Sequence, residues 1–263
     1  MKKKETINHI VNWLTSYCEK SSMKGFVVGV SGGVDSALTS TLCALTSKPL
    51  ICLNMPILQQ KDQYTLANVH IEWLKKKFSN VSSHEVNLTD TFLKLKETLP
   101  REIQDVHAMA NTRSRLRMTT LYAFSAHHRM LVAGTGNKVE DFGVGFYTKY
   151  GDGGVDLNPI ADLMKSEVRS LAQKLGVSLS IVKAAPVDGL WEDNRTDEEQ
   201  IGATYGELEW AMKQLSSKFQ VPSSKLNTRQ KRVLEIFQRL HQMNIHKMKP
   251  IPVCIIPGKL KKG

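Results

Sequence analysis

This sequence predicts a three-layer α/β/α fold, with a mostly parallel central sheet between two helical layers. Three observations lead there. Short apolar, β-branched runs alternate with helical apolar periods along the first two-thirds of the chain. A glycine-rich turn stands between the first strand and the first helix of that alternation. The 263 residues are 41% hydrophobic and 23% charged, enough to bury a core in one soluble domain, 1–263. Strands joined through helices pair in parallel, and right-handed crossovers put the helices on both faces of the sheet.

The elements follow in order. Residues 25–30, Gly-Phe-Val-Val-Gly-Val, read as a short buried strand. In residues 34–46 the apolar Val34, Ala37, Leu38, Leu42 and Leu45 recur at helical spacing. Residues 50–55 are a second strand, stopped by Pro56, and 60–78 an amphipathic helix with Tyr64, Ala67, Ile71, Leu74 and Phe78 on one side. Residues 84–88 make a weaker strand. Residues 101–128 are largely helical and lead into a strand at 130–133, closed by Gly134. The glycine-rich residues 134–154 are too polar and flexible for core and read as a binding loop. A helix at 166–175 stops at Gly176. Residues 183–196 form a polar loop, and a last helix covers 228–244.

Charge and cysteine usage narrow the function classes. Lys plus Arg total 36 against 25 Asp plus Glu, a formal charge of +11. That balance fits an anionic partner and excludes an acidic disordered chain. Eight of the lysines lie in the two ends: Lys2, Lys3, Lys4, Lys247, Lys249, Lys259, Lys261 and Lys262. The body is nearly balanced between what read as basic tails, the C-terminal one covering about 247–263. No stretch approaches the ~18 consecutive apolar residues of a spanning helix, so no membrane partner is expected. The charged N-terminus lacks the apolar segment of a secretion signal. Cys18, Cys43, Cys52 and Cys254 form no CxxC pair, which fits reduced thiols in a cytoplasmic protein.

One motif carries chemistry. Gly29, Val30, Ser31, Gly32, Gly33, Val34, Asp35 and Ser36 leave a strand and open a helix. Glycines let the backbone turn sharply, and the free N–H groups of the first helical turn make an anion site. Val34-Asp35-Ser36 stands where a Walker A loop has Gly-Lys-Ser/Thr. An Asp beside phosphate repels it unless a cation lies between, so Asp35 implies Mg²⁺.

Ser-Gly-Gly-x-Asp-Ser after the first strand resembles the pyrophosphate loop of the ATP pyrophosphatases, the Rossmann-like adenine nucleotide α-hydrolases. Residues 134–140, Gly-Thr-Gly-Asn-Lys-Val-Glu, and 146–159, Phe-Tyr-Thr-Lys-Tyr-Gly-Asp-Gly-Gly-Val-Asp-Leu-Asn-Pro, are similar to the NAD⁺ synthetases within that group. So are Arg115-Leu116-Arg117-Met118, Gly189-Leu190-Trp191, Thr196-Asp197-Glu198-Glu199 and His246-Lys247. The resemblance runs from about residue 11 to 252.

It implies a ligase that makes a C–N amide bond: ATP-dependent amidation of deamido-NAD with ammonia, through an adenylated carboxylate, giving NAD⁺, AMP and pyrophosphate. By motif, Gly29 to Ser36, Thr135, Lys165 and Val187 would bind ATP. Asp35 and Glu140 would hold Mg²⁺. Arg115, Lys149, Asp156, His246 and Lys247 would contact deamido-NAD, and Asp156 would also help to hold ammonium. Asp35, Asp156 and Lys165 are the catalytic candidates. A competing reading of Lys165 is a solvated helix lysine. The family pattern often has Ser or Thr after its Lys-x-x-Pro, where Val187 stands here, and the missing hydroxyl predicts weaker ATP binding at most. Homodimers with substrate at the interface are typical, and residues 101–128 are the candidate interface element. The length leaves no room for a glutaminase module, so free ammonia is the expected nitrogen donor and no nucleic acid is a partner. The alternative, a tRNA-modifying ATP pyrophosphatase, would want a reactive cysteine and a basic face.

Overall fold

The computed structural model describes residues 1–59, 61–187, 189–190, 195–216 and 221–261. Four strands, β1 (Phe26–Gly29), β2 (Leu50–Asn54), β3 (Val81–Glu85) and β4 (Leu131–Val132), form one parallel sheet in the order β3-β2-β1-β4. Phe26 pairs with Leu50 on one side and Leu131 on the other, and Leu50 pairs with Val81. The helices of the described residues are α1 (Lys3–Lys20), α2 (Val34–Leu45), α3 (Lys61–Lys77), α4 (Thr89–Thr98), α5 (Val106–His128), α6 (Lys165–Leu175), α7 (Leu179–Lys183), α8 (Asp197–Ile201), α9 (Tyr205–Ser216) and α10 (Thr228–Met248).

The three layers follow from strand alternation. Successive side chains of a strand face opposite ways. Phe26, Val28, Leu50 and Cys52 enter a core with α1, α2, α3 and α6, built on Leu14, Leu38, Leu42, Leu74 and Leu171. Val27, Ile51 and Leu53 enter the other core, with Phe92 of α4 and Met109 of α5. Each such side chain, once buried, contributes about 1.5–3 kcal/mol. Beyond the sheet, α8, α9 and α10 build a third cluster on Ile201, Leu208, Val233 and Phe237.

The chain steps from β1 to β2 to β3, then crosses back to β4 on the far side of β1. Strand order therefore reverses between β1 and β4. The loops leaving the carboxyl ends of those two strands diverge there and open a crevice, where α/β sheets place their ligands.

Several expectations need correction. The third strand is Val81–Glu85, three residues before the expected 84–88. Val86 and Leu88 drew the expectation because they are apolar, but they pack beneath the sheet, while the half-exposed edge strand pairs through its backbone. The stretch 101–128 breaks at Gln104 and Asp105, where Asp105 accepts a hydrogen bond from Ala108 N at 3.0 Å and caps α5. Residues Val139–Val144 form a π-helical turn, with Val139 and Val144 buried in the third cluster, so part of the glycine-rich stretch is core. Lys3 and Lys4 belong to α1 rather than to a tail, and Lys247 belongs to α10. Helices α1, α4, α7, α8 and α9 have no counterpart among the elements expected from the sequence.

His70 of α3 is 2% exposed, and its Nε2 shares a 3.0 Å hydrogen bond with Ser40 Oγ of α2. Burial lowers its imidazole from 6.5 to about 4. The unfolded chain therefore takes up this proton as pH falls below 6.5 while the folded one does not. The contribution is complete above 6.5 and is lost as pH drops toward 4, by about 3 kcal/mol. We expect thermal melts of His70→Gln to lose less stability than the native chain between pH 7 and pH 4.5. Parallel curves would count against it.

Candidate active site

The loop after β1 is shaped by its own residues. Gly32 takes φ +87°, and a Cβ there would stand 2.6 Å from the Gln63 carbonyl oxygen. Ser36 Oγ donates to Gly33 O at 3.0 Å and accepts from Ser31 N at 3.2 Å; Gly33 N donates to Ser31 Oγ at 3.3 Å. The paired serines thus hold the turn. Gly33 precedes α2 without a side-chain cap, so the first-turn amides and the positive end of the helix face the crevice.

Three charged residues from distant parts of the chain meet beside this loop. Lys165 Nζ donates to Asp35 Oδ2 at 2.6 Å and to Glu140 Oε1 at 3.0 Å. Asp35 comes from the first turn of α2, Glu140 from the π-helical turn after β4, and Lys165 from the start of α6. Lys165 is 3% exposed, which overturns the solvated-helix reading. Burial alone would lower its ammonium, but the charges of Asp35 and Glu140 outweigh burial and raise it. Burial pushes the Glu140 carboxyl up, against the pull of Lys165.

Two further groups order this centre, and neither was singled out as a site residue from the sequence. Asn137, fully buried, donates Nδ2 to Asp35 Oδ1 at 3.1 Å and accepts from Val139 N at 3.1 Å and Glu140 N at 3.2 Å. It ties both carboxylate-bearing segments together. Tyr205 of α9 donates its hydroxyl to Glu140 Oε1, and its ring lies 4.5 Å from Lys165 Nζ. Burial, then the charges of Glu140 and Asp197, raise its phenol well above the ordinary value. Asn137 could have been found within the Gly-Thr-Gly-Asn run. Tyr205 lies in a stretch with no motif.

Asp35 and Glu140 fit a divalent cation. Their oxygens converge on one cationic point, now the Lys165 nitrogen, and hard carboxylate donors suit Mg²⁺.

The crevice is a cleft of about 440 Å³ lined by all of residues 29–36 with Thr135, Glu140, Lys165 and Val187. Every candidate ATP residue therefore meets in one place. The Val187 side chain has no donor to offer, and the Val187 carbonyl accepts from Gln63 Nε2 at 3.5 Å. The deamido-NAD candidates do not line this cleft. Arg115 Nη2 donates to Lys149 O at 3.3 Å, and Lys149 Nζ to His246 O at 2.9 Å. Lys247 Nζ donates to Gly145 O and Tyr147 O, both at 2.8 Å. These four form a second cluster where α5 and the end of α10 meet the 145–150 loop. Asp156 stands apart, accepting from Val132 N at 2.8 Å and Tyr122 OH at 3.0 Å. Trp191 lies outside the described residues.

A family model described as NAD synthase matches residues 6–251. An NH(3)-dependent NAD(+) synthetase of Carboxydothermus hydrogenoformans is 40% identical over 78% of this chain and 83% of its own length. One of Alkaliphilus metalliredigens is 36% identical over 94% of this chain and 97% of its own. The solved structure of an NMN synthetase from Francisella tularensis is 31% identical, with a TM-score of 0.83 over 98% of this chain and 99% of that one. The parallel sheet flanked by helices is the adenine nucleotide α-hydrolase fold expected from the sequence.

Proposed function

The chain belongs to the NAD synthase family, and from that premise we propose that it activates a nicotinate carboxylate with ATP and then replaces AMP by ammonia. The Carboxydothermus and Alkaliphilus relatives are NH(3)-dependent NAD(+) synthetases, and NAD synthesis with ATP as substrate is the family's chemistry. One observation carries the mechanistic reading: Asp35 and Glu140, far apart in the chain, converge on Lys165 at the mouth of the loop 29–36.

The reaction needs each of these parts. A free carboxylate is a poor acceptor for ammonia. Attack of its oxygen on the α-phosphorus breaks the bond to the bridging oxygen, whose electron pair leaves with pyrophosphate. The adenylate so formed has a good leaving group, and ammonia displaces AMP. The amides at the start of α2, with Ser31 and Ser36, face the charge that departs. Asp35 and Glu140 would hold Mg²⁺, which supplies charge neutralisation of the phosphates. Lys165, released from the carboxylates, is placed to reach phosphate oxygens. Thr135 and Val187 border the nucleotide.

In this reading Arg115, Lys149, His246 and Lys247 meet the acceptor dinucleotide in the second cluster, and Asp156, apart from it, orders the end of β4. A homodimer would complete that surface, with α5 as the interface helix. The two lysines already hold backbone carbonyls, which favours a second reading: the smaller acceptor nicotinate mononucleotide, in line with the NMN synthetase relative. A tRNA substrate has nothing to favour it. No helix of the described residues is long and apolar enough to cross a membrane, and a cytoplasmic location is part of the proposal.

The test is direct. Purified protein with ATP, Mg²⁺ and ammonium is given deamido-NAD or nicotinate mononucleotide. We expect AMP and pyrophosphate in equal amounts with the amide, and the faster acceptor identifies the substrate. ADP in place of AMP, or no amide with either acceptor, would sink the reading.

A further inference from the structure

The cleft that holds the ATP candidates carries more negative than positive charge. Five carboxylates line it, Asp35, Asp62, Glu140, Asp152 and Asp197, against three cations, Arg117, Lys165 and Arg169. Lys165 is shared by two carboxylates, and Arg117 donates Nε to the Met55 carbonyl at 3.0 Å. Arg169 is different. It stands four residues after Lys165 on α6, so both side chains share one face of the helix and both reach the cleft. Its Nε is buried and has no hydrogen-bond partner among the described residues.

A buried guanidinium nitrogen without a partner is costly, because water can no longer satisfy it. Such a group in the wall of a binding cleft is a donor awaiting an acceptor. The planar guanidinium matches two phosphate oxygens at once, which an ammonium cannot do. The same cleft includes Val187, which has no hydroxyl to donate.

We propose that Arg169 binds the pyrophosphate half of ATP, donating to oxygens of the β- and γ-phosphates and receiving the charge that leaves with pyrophosphate. This rests on the ATP-dependent reading above. Lys165 and Arg169 then divide the work: Lys165 balances the two carboxylates until nucleotide arrives, and Arg169 meets the phosphates from the start.

The probes are inorganic pyrophosphate and AMP, titrated separately by calorimetry into the full chain in Mg²⁺. Variants Arg169→Gln and Arg169→Lys are compared with the native protein, with thermal melts as the folding check. We expect Arg169→Gln to weaken pyrophosphate binding about tenfold or more and to leave AMP binding within about twofold. Arg169→Lys should fall between, since it keeps charge and loses the fork. If Arg169→Gln does not fold, Arg169→Lys alone decides by the same ratio of pyrophosphate to AMP loss. Equal loss of both ligands would mark a structural role and overturn the proposal, as would unchanged pyrophosphate binding. A native protein that releases AMP from ATP while Arg169→Gln binds pyrophosphate normally defeats the Arg169 assignment alone. A native protein that binds no pyrophosphate and makes no AMP defeats the ATP reading and this proposal with it.

Discussion

Asp35→Asn is expected to abolish turnover, by about 10³-fold or more, while the protein stays folded. Asn has the shape of Asp, and its one carbonyl oxygen can still accept from Lys165, at the cost of the hydrogen bond from Asn137. What it lacks is the charge that offsets Lys165 and, in the proposed reaction, draws in Mg²⁺. Lys165 keeps Glu140 as a partner at 3.0 Å, so no buried charge is stranded. The thermal midpoint should therefore move by only a few degrees. Steady-state amide formation, with circular dichroism as the control, measures both. Activity within tenfold of native would remove Asp35 from the centre.

Lys165→Met makes the opposite kind of change. It removes the cation from a site where Asp35 and Glu140 are 15% and 16% exposed, and leaves two carboxylates facing each other. Breaking a buried ion pair by deleting one partner costs about 3–5 kcal/mol. For a chain of this size that lowers the midpoint by about 10 °C. Turnover should vanish as well. The telling measurement is the response to Mg²⁺. A divalent cation can replace the missing ammonium between the carboxylates, so Mg²⁺ should raise the midpoint of Lys165→Met more than that of the native protein. Equal responses would separate the lysine position from the metal position.

Both experiments act on a centre that could be read only in part from the chain. Asp35 was legible because a carboxylate in a phosphate loop has few other meanings. Glu140 and Lys165 came from a family resemblance, and that resemblance did not show that Lys165 bridges Asp35 to Glu140. Asn137 and Tyr205 were missed for a physical reason. A buried asparagine is notable only for which groups its amide reaches, and a tyrosine in a helix without a motif looks like core. The expected ligands Lys149 and Lys247 hold backbone carbonyls instead of open space, a fact set by the approach of α10 to the 145–150 loop.

The fold shows the same division. The strands at 26–29 and 50–54 and the helix after the first of them follow from runs of apolar residues with the right period, which act locally. The third strand slipped because an edge strand pairs through its backbone, and backbone pairing leaves no trace in side-chain type. By itself the sequence determined the layered parallel fold, the anion loop 29–36 and the family chemistry, since periodicity, glycine spacing and ordered motifs are properties of neighbouring residues. Only the tertiary structure decided that Lys165 lies between Asp35 and Glu140, and that the Arg169 Nε is buried without a partner among the described residues. Charges more than a hundred residues apart interact only after the sheet has set the distance between them.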